Sequence, residues 1–133
     1  MFTHEKKIIH GDLKAANILF DGNKIKLSDF GESLSIEKFL KNIEASHSVV
    51  ECSEINGSIL WMAPEIFLEK PRGTRSDIWS FGCTLIELLT ATNPWPEIKE
   101  VGQILNWVME GRSPTIPNNI SEEAREMISA CLR

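Results

Sequence analysis

The sequence predicts a mainly α-helical fold carrying one small β-hairpin, and three features predict it. Residues 77–90 are apolar almost all round, with Ile78, Trp79, Phe81, Leu85, Ile86, Leu88 and Leu89, the pattern of a helix buried on every side. Two later stretches, about 97–110 and 121–133, repeat apolar residues at helical spacing. Near the start, two short β-type runs flank Asp21-Gly22, a dipeptide that favours tight hairpin turns.

Taken in order, residues 8–10 read as a short strand that runs into a polar turn through Gly11, Asp12 and Lys14. The hairpin follows, Ile18-Leu19-Phe20 against Ile25-Lys26-Leu27. Antiparallel pairing about its tip sets Asn17, at the start of one strand, near Asp29, just past the end of the other. Residues 32–56 hold five serines and no clean period, although Ile36, Phe39, Leu40 and Ile43 sit at helical spacing. That stretch predicts a long loop with one helical piece. The central helix is expected over about 76–90 with Ser76 or Asp77 capping its start. In the next helix Val101, Ile104, Leu105 and Val108 form one stripe and Gly111 supplies the stop. Ser121 caps the last helix, with Glu122 and Glu123 in its first turn and Ala124, Met127, Ile128 and Cys131 on one face. The pattern is unfinished at Arg133.

Bulk composition narrows the classes. A chain of 133 residues, 42% hydrophobic and 25% charged, suits one globular domain and neither a disordered nor a collagen-like chain. Net charge is -5, and the basic candidates are only Lys6-Lys7 and Arg72 with Arg75, which read as solvated surface, so no nucleic-acid partner is expected. Cys52, Cys83 and Cys131 are odd in number and lack a C-x-x-C pair, which argues against a disulfide framework or zinc site and for a reduced, cytoplasmic setting. Charged residues from His4 to Lys7 leave no room for a signal-peptide core, and no run is long enough to cross a membrane.

The chemistry-bearing residues are ordered. His10-Gly11-Asp12-Leu13-Lys14-Ala15-Ala16-Asn17 is followed by Asp29-Phe30-Gly31 and later by Ala63-Pro64-Glu65. Phosphoryl transfer needs a carboxylate to orient and deprotonate the attacking hydroxyl, and oxygen ligands for magnesium on the phosphates. Singly, Asp12 and Asn17 read as turn residues and Asp29 as a helix cap. Three ordered motifs joined by a hairpin that gathers their oxygens are far harder to reach by accident.

Together these motifs resemble the protein-kinase superfamily. The resemblance runs over residues 1–133 as a partial kinase domain: the C-terminal lobe, with catalytic loop, an activation segment over 29–65 and the buried central helix, and with the N-terminal lobe absent. It implies ATP and Mg2+ as cofactors, Asp12 as catalytic base, Lys14 beside the transferred phosphoryl group, Asn17 and Asp29 as magnesium ligands, and Leu19 as the floor of the adenine pocket. It also implies that Asp77 ties the central helix to the backbone of the catalytic loop. The Ala-Pro-Glu motif and its preceding segment are what protein kinases use to hold a peptide. Lys14, two residues after the base, is typical of serine/threonine kinases, and Ser58 stands where the family places a hydroxyl that bonds Asp12 and Lys14. Trp61-Met62-Ala63-Pro64-Glu65 also occurs in tyrosine kinases. With the Asn93-Pro94-Trp95 turn and the segment over 116–124, the chain is similar to MAP kinase kinase kinases, which implies a protein substrate presenting Ser or Thr, and upstream or downstream signalling kinases as partners.

Two departures qualify the resemblance. Gly11 stands where regulated kinases carry the arginine that pairs with an activation-loop phosphate, so phosphorylation of Ser46, Ser48, Ser53 or Ser58 is not expected to be the main on-switch; equally, Gly11 is what a tight turn tolerates. The chain also has no glycine-rich loop, no phosphate-pairing lysine strand and no helix offering that lysine a glutamate. The family's arginine partner for Glu65 would lie beyond Arg133. The fragment alone is therefore expected to be poorly stable and catalytically silent. A non-catalytic kinase-like binding or scaffold module is the alternative, against which the retention of Asp12, Lys14, Asn17 and Asp29 speaks.

Overall fold

The computed structural model describes Glu5 and residues 9–29, 58–68 and 73–133. Strands β1 (Ile18–Phe20) and β2 (Ile25–Leu27) pair antiparallel with Ile18 opposite Leu27 and Phe20 opposite Ile25. Asp21 folds the tip by accepting the amides of Lys24 at 2.9 Å and Asn23 at 3.1 Å, which holds its carboxyl below the usual carboxylate range. A helical turn over Ser58–Trp61 leads into α1 (Pro64–Phe67), whose proline sits where a missing N–H costs nothing. Three longer helices follow: α2 (Thr74–Thr90), α3 (Val101–Met109) and α4 (Glu122–Cys131). Mainly helical with one hairpin is the predicted class.

Helix α2 is the hub. Trp79, Cys83 and Ile86 on it join Ile59, Trp61, Phe67, Trp95, Ile104 and Ile128 in one apolar core. Two of its buried hydroxyls donate to backbone carbonyls, while the Trp79 indole N–H is buried without a partner among the described residues. The Ser80 hydroxyl donates to the Trp61 carbonyl at 2.7 Å, and that of Thr84 to the Ser80 carbonyl at 2.7 Å. From the opposite side the Trp95 indole donates to the Leu60 carbonyl at 3.0 Å, so the 58–61 turn is held between two elements. Cys83 and Cys131 are free thiols, and burial pushes the Cys83 thiol far above its ordinary range.

Several expectations change in detail. Ile9 and His10 form no strand, because the amide of His10 is taken by the Asp77 carboxylate instead of a neighbouring strand. Helix α2 begins at Thr74, and neither Ser76 nor Asp77 is its cap residue: Gly73 is, and the Ser76 hydroxyl reaches back to accept the Gly73 amide at 3.2 Å. Nor is α2 buried on every side, since Leu88 and Leu89 at its end are exposed. On α4 the Ser121 hydroxyl accepts the Ala124 amide as expected, but Met127 is exposed and the buried line runs through Ile128 and Leu132. The readings of 32–56, Lys6-Lys7, Arg72 and Cys52 lie outside the described residues. Among the described residues no helix is long and apolar enough to cross a membrane.

The loop that precedes the hairpin is fastened to α2 by one carboxylate. Asp77 accepts the amide of His10 on Oδ2 and that of Gly11 on Oδ1, each at 2.8 Å, while itself only 1% exposed. Gly11 makes the turn with φ 79°, a left-handed backbone that glycine adopts without a side-chain penalty, which accounts for glycine at this position on backbone grounds.

Two stability outcomes follow. Asp77→Ala leaves two amide donors without their acceptor, and denaturant unfolding is expected to show a loss of about 3 kcal/mol or more, since each bond to a charged group contributes roughly 1.5–3 kcal/mol. At Gly82 a Cβ would lie 2.8 Å from the Cys131 Cβ and 3.1 Å from Leu132 Cδ2. Alanine gains about 1 kcal/mol of helix propensity there, but overpacking costs about 1–3 kcal/mol. A thermal melt of Gly82→Ala is therefore expected to shift downward, and an upward shift would contradict the packing of α2 on α4.

Candidate active site

The first polar residue after the fastening is itself positioned by its neighbours. His10 Nε2 lies 2.9 Å from the Ser28 carbonyl, which can only accept, so that nitrogen carries the proton. Its other nitrogen, Nδ1, then accepts the amide of Asp12 at 3.3 Å. One imidazole thus links the loop to the residue after β2 and bends the chain so that Asp12 turns inward, 5% exposed.

Asp12 has two unlike oxygens. Its Oδ2 accepts from Asn17 Nδ2 at 2.9 Å and pairs with Lys14 Nζ at 3.0 Å. Its Oδ1 is buried and has no hydrogen-bond partner among the described residues. A buried acceptor without a donor is uncommon, and at a functional site it marks the place where a ligand's donor fits. Chemically it is an oriented carboxylate lone pair, able to take the proton of a hydroxyl presented to it.

Asn17 uses its amide nitrogen twice, on Asp12 Oδ2 and on the Asp12 carbonyl at 2.8 Å. Both bonds require the nitrogen on that side, which fixes Oδ1 on the other, an oxygen of the kind a hard cation takes. The Ser28 amide donates to the Asn17 carbonyl at 2.9 Å, one rung beyond the strand ladder. Asp29 follows directly, exposed and with φ 57°, a strained backbone for a residue with a side chain. Asn17 and Asp29 thus both present oxygen donors near the end of the hairpin. Phe30 and Gly31 lie outside the described residues.

The structure brings Asp12, Lys14 and Asn17 into one bonded group. Lys14 Nζ also donates to Ser58 Oγ at 2.9 Å, joining the group to the 58–61 turn. Ser58 is 6% exposed, while Ser46, Ser48 and Ser53 lie outside the described residues. Among the described residues Asp29 makes no hydrogen bond to the other three. Leu19 stands on β1 opposite Lys26, with 53% of its surface exposed. Glu65 accepts the Ser76 hydroxyl at 2.7 Å, so one of its oxygens is satisfied within the chain.

Sequence reasoning gave no role to His10, Ser28 or Glu87. Glu87 accepts the amide of Ala15 at 2.8 Å and the indole N–H of Trp61 at 3.0 Å, both on Oε2. The available signal was a lone acid in the apolar run Leu85-Ile86-Glu87-Leu88-Leu89. For His10 the signal was only its place beside Gly11.

Comparison with known proteins places the chain in a family. The family model for the protein kinase domain matches residues 1–133. Mitogen-activated protein kinase kinase kinase A of Dictyostelium discoideum is 39% identical over 99% of the chain, which spans 13% of that protein's length. Mitogen-activated protein kinase kinase kinase 2 of Arabidopsis thaliana is 37% identical over 99% of the chain, here 20% of the relative's length. The human mitogen-activated protein kinase kinase kinase 3 is 34% identical over 96% of the chain, also 20% of its length. The chain covers a fifth or less of these relatives, but with a family model matched from end to end it belongs to the protein kinase family.

Proposed function

We propose that the chain is the C-terminal lobe of a protein serine/threonine kinase that moves the γ-phosphoryl group of ATP to a protein hydroxyl. The observation that carries this reading is Asp12, with Oδ2 held by Asn17 and Lys14 and Oδ1 buried without a donor. In the proposed reaction Oδ1 accepts the proton of a substrate Ser or Thr hydroxyl as that oxygen bonds to the γ-phosphorus and the bond to the leaving ADP oxygen breaks.

Lys14 balances the charge of Asp12 and offers a remaining N–H to the phosphoryl oxygens. Ser58, bonded to Lys14, sets that ammonium against the segment that leads into Ala63-Pro64-Glu65, where a peptide would lie. Magnesium, when bound, neutralises charge on the phosphates, and Asn17 Oδ1 with the Asp29 carboxylate would hold it. Leu19 gives an apolar surface for the adenine ring. The names of the relatives support a MAP kinase kinase as the protein substrate and a place in a signalling cascade. These 133 residues contain no glycine-rich loop and no lysine strand to cover the nucleotide, so we expect no phosphotransfer from them in isolation.

The test is made on the complete native polypeptide that contains these residues. Asp12→Asn is expected to lower kcat about 100- to 10,000-fold with little change in KM for ATP, because the proton acceptor is lost and the nucleotide ligands are not. Equal activity in the variant would exclude the base assignment. Asp29→Ala is expected to abolish magnesium-dependent nucleotide binding measured by calorimetry. Nucleotide affinity that is indifferent to magnesium in the unmodified protein would instead favour a non-catalytic binding module. A panel of peptides matched except for Ser, Thr or Tyr at the acceptor decides the hydroxyl class.

A further inference from the structure

We infer that Asp21, at the tip of the hairpin, is a site of spontaneous isomerisation to isoaspartate, and that its ion pair with Lys26 holds the reaction in check. The chemistry needs no partner but water. The Gly22 nitrogen attacks Asp21 Cγ, a new C–N bond forms, and the acid's OH leaves with the amide hydrogen as water. The cyclic succinimide then takes up water at either carbonyl. Breaking the bond from Gly22 N to the main-chain carbonyl leaves the backbone running through Cβ and Cγ, one carbon longer; breaking the other restores aspartate. The substrate side of the reaction is well exposed. Gly22 has no side chain to hinder its nitrogen, and no atom lies within 4 Å of where a Cβ would stand. Among the described residues its amide donates no hydrogen bond. The Asp21 side chain is 49% exposed, so water reaches it.

Against this stand the bonds of the carboxylate. The acid form is the one that reacts, because an ionised carboxylate is a poor electrophile with no leaving group. Asp21 Oδ1 accepts the amides of Lys24 and Asn23, and Oδ2 pairs with Lys26 Nζ at 3.2 Å. All three contacts favour the ionised form, and they hold the carboxyl below its usual range. They also engage both oxygens, so Cγ does not turn freely onto the Gly22 nitrogen. Lys26 is the contact that a side-chain change can remove, since the other two come from the backbone. The outcome matters beyond the tip. An added backbone carbon at Asp21 displaces the acceptor of the Lys24 and Asn23 amides, which closes a hairpin of three-residue strands. Such a hairpin is marginal without its turn, and its other end carries Asn17 and Ser28. The inference holds whether or not the chain transfers phosphate.

The experiment incubates the complete native polypeptide, its Lys26→Ala and Lys26→Arg variants and a synthetic peptide of residues 16–27 at neutral pH. Isoaspartate at Asp21 is followed by mass spectrometry in water enriched in heavy oxygen, which enters when the succinimide opens. The unmodified polypeptide is expected to accumulate it more slowly than the peptide, in which the hairpin does not hold the carboxylate. Lys26→Ala is expected to accumulate it about two- to fivefold faster than the unmodified polypeptide, the factor an exposed ion pair supplies. Lys26→Arg keeps the cation and is expected to match the unmodified rate. Equal rates in the unmodified polypeptide and Lys26→Ala overturn the inference, as does an Arg variant as fast as Ala. A folded chain that isomerises as fast as the peptide overturns the protection, and no heavy-oxygen uptake at Asp21 in any of the four samples overturns the site itself.

Discussion

The buried carboxylate of Asp77 is the constraint on which the loop and its chemistry depend. A charge at 1% exposure persists only if its oxygens are fully engaged, and both of them are, by the consecutive amides of His10 and Gly11. Two adjacent N–H groups can converge on one carboxylate only if the chain turns sharply, which gives Gly11 its left-handed backbone. With that turn fixed, His10 Nδ1 receives the Asp12 amide and Nε2 reaches Ser28, and the direction of the Asp12 side chain follows. The requirement to satisfy one buried charge is thus transmitted, bond by bond, to the orientation of the proposed base.

Much of this was legible in the sequence where a local rule applies. The hairpin came from Asp21-Gly22 between two β-type runs, and the register that places Asn17 beside the end of β2 follows from antiparallel pairing alone. The long helices came from apolar periodicity, and the cap at Ser121 from its residue type. What was not legible is long-range. From its neighbours alone Asp77 looks like a helix cap; the family resemblance, and no local rule, implied the tie to the loop that its two oxygens make 66 and 67 residues away. Residues 8–10 have the composition of a strand, yet the His10 amide goes to a side chain. Met127 fits the apolar stripe of α4 and is still exposed, because a stripe wider than the contact leaves its edge in water. Among the site residues, Asp12, Lys14 and Asn17 could be named from motif order, whereas Glu87 carried only the oddity of an acid in an apolar run.

The site separates two kinds of acidic residue. Asp77 and Glu87, both on α2, use carboxylate oxygens as acceptors for backbone and indole N–H groups and so act on geometry. Asp12 is held by one oxygen alone, and the other is kept buried without a donor. An unsatisfied buried acceptor costs about 1–3 kcal/mol, comparable to the net gain of one or two ordinary hydrogen bonds. The surrounding bonds from Asn17 and Lys14 offset that cost, which is why the unpaired oxygen can be maintained as a site feature.

The hairpin shows the same logic from the side of packing. Its strands are three residues each, and Leu19, Phe20 and Ile25 are 53%, 70% and 72% exposed, so apolar burial among the described residues contributes little to its order. A two-stranded hairpin by itself is marginal in water. What positions this one is polar: the Ser28 amide on the Asn17 carbonyl, the Ser28 carbonyl on His10, and the Asp21 carboxylate closing its own turn. Among the described residues the placement of Asn17 and Asp29 is therefore inherited from the loop that Asp77 anchors more than from apolar packing of the strands. A perturbation of the anchor on α2 should reach the proposed magnesium ligands through that chain of hydrogen bonds before it disturbs the apolar interior around Cys83 and Ile128.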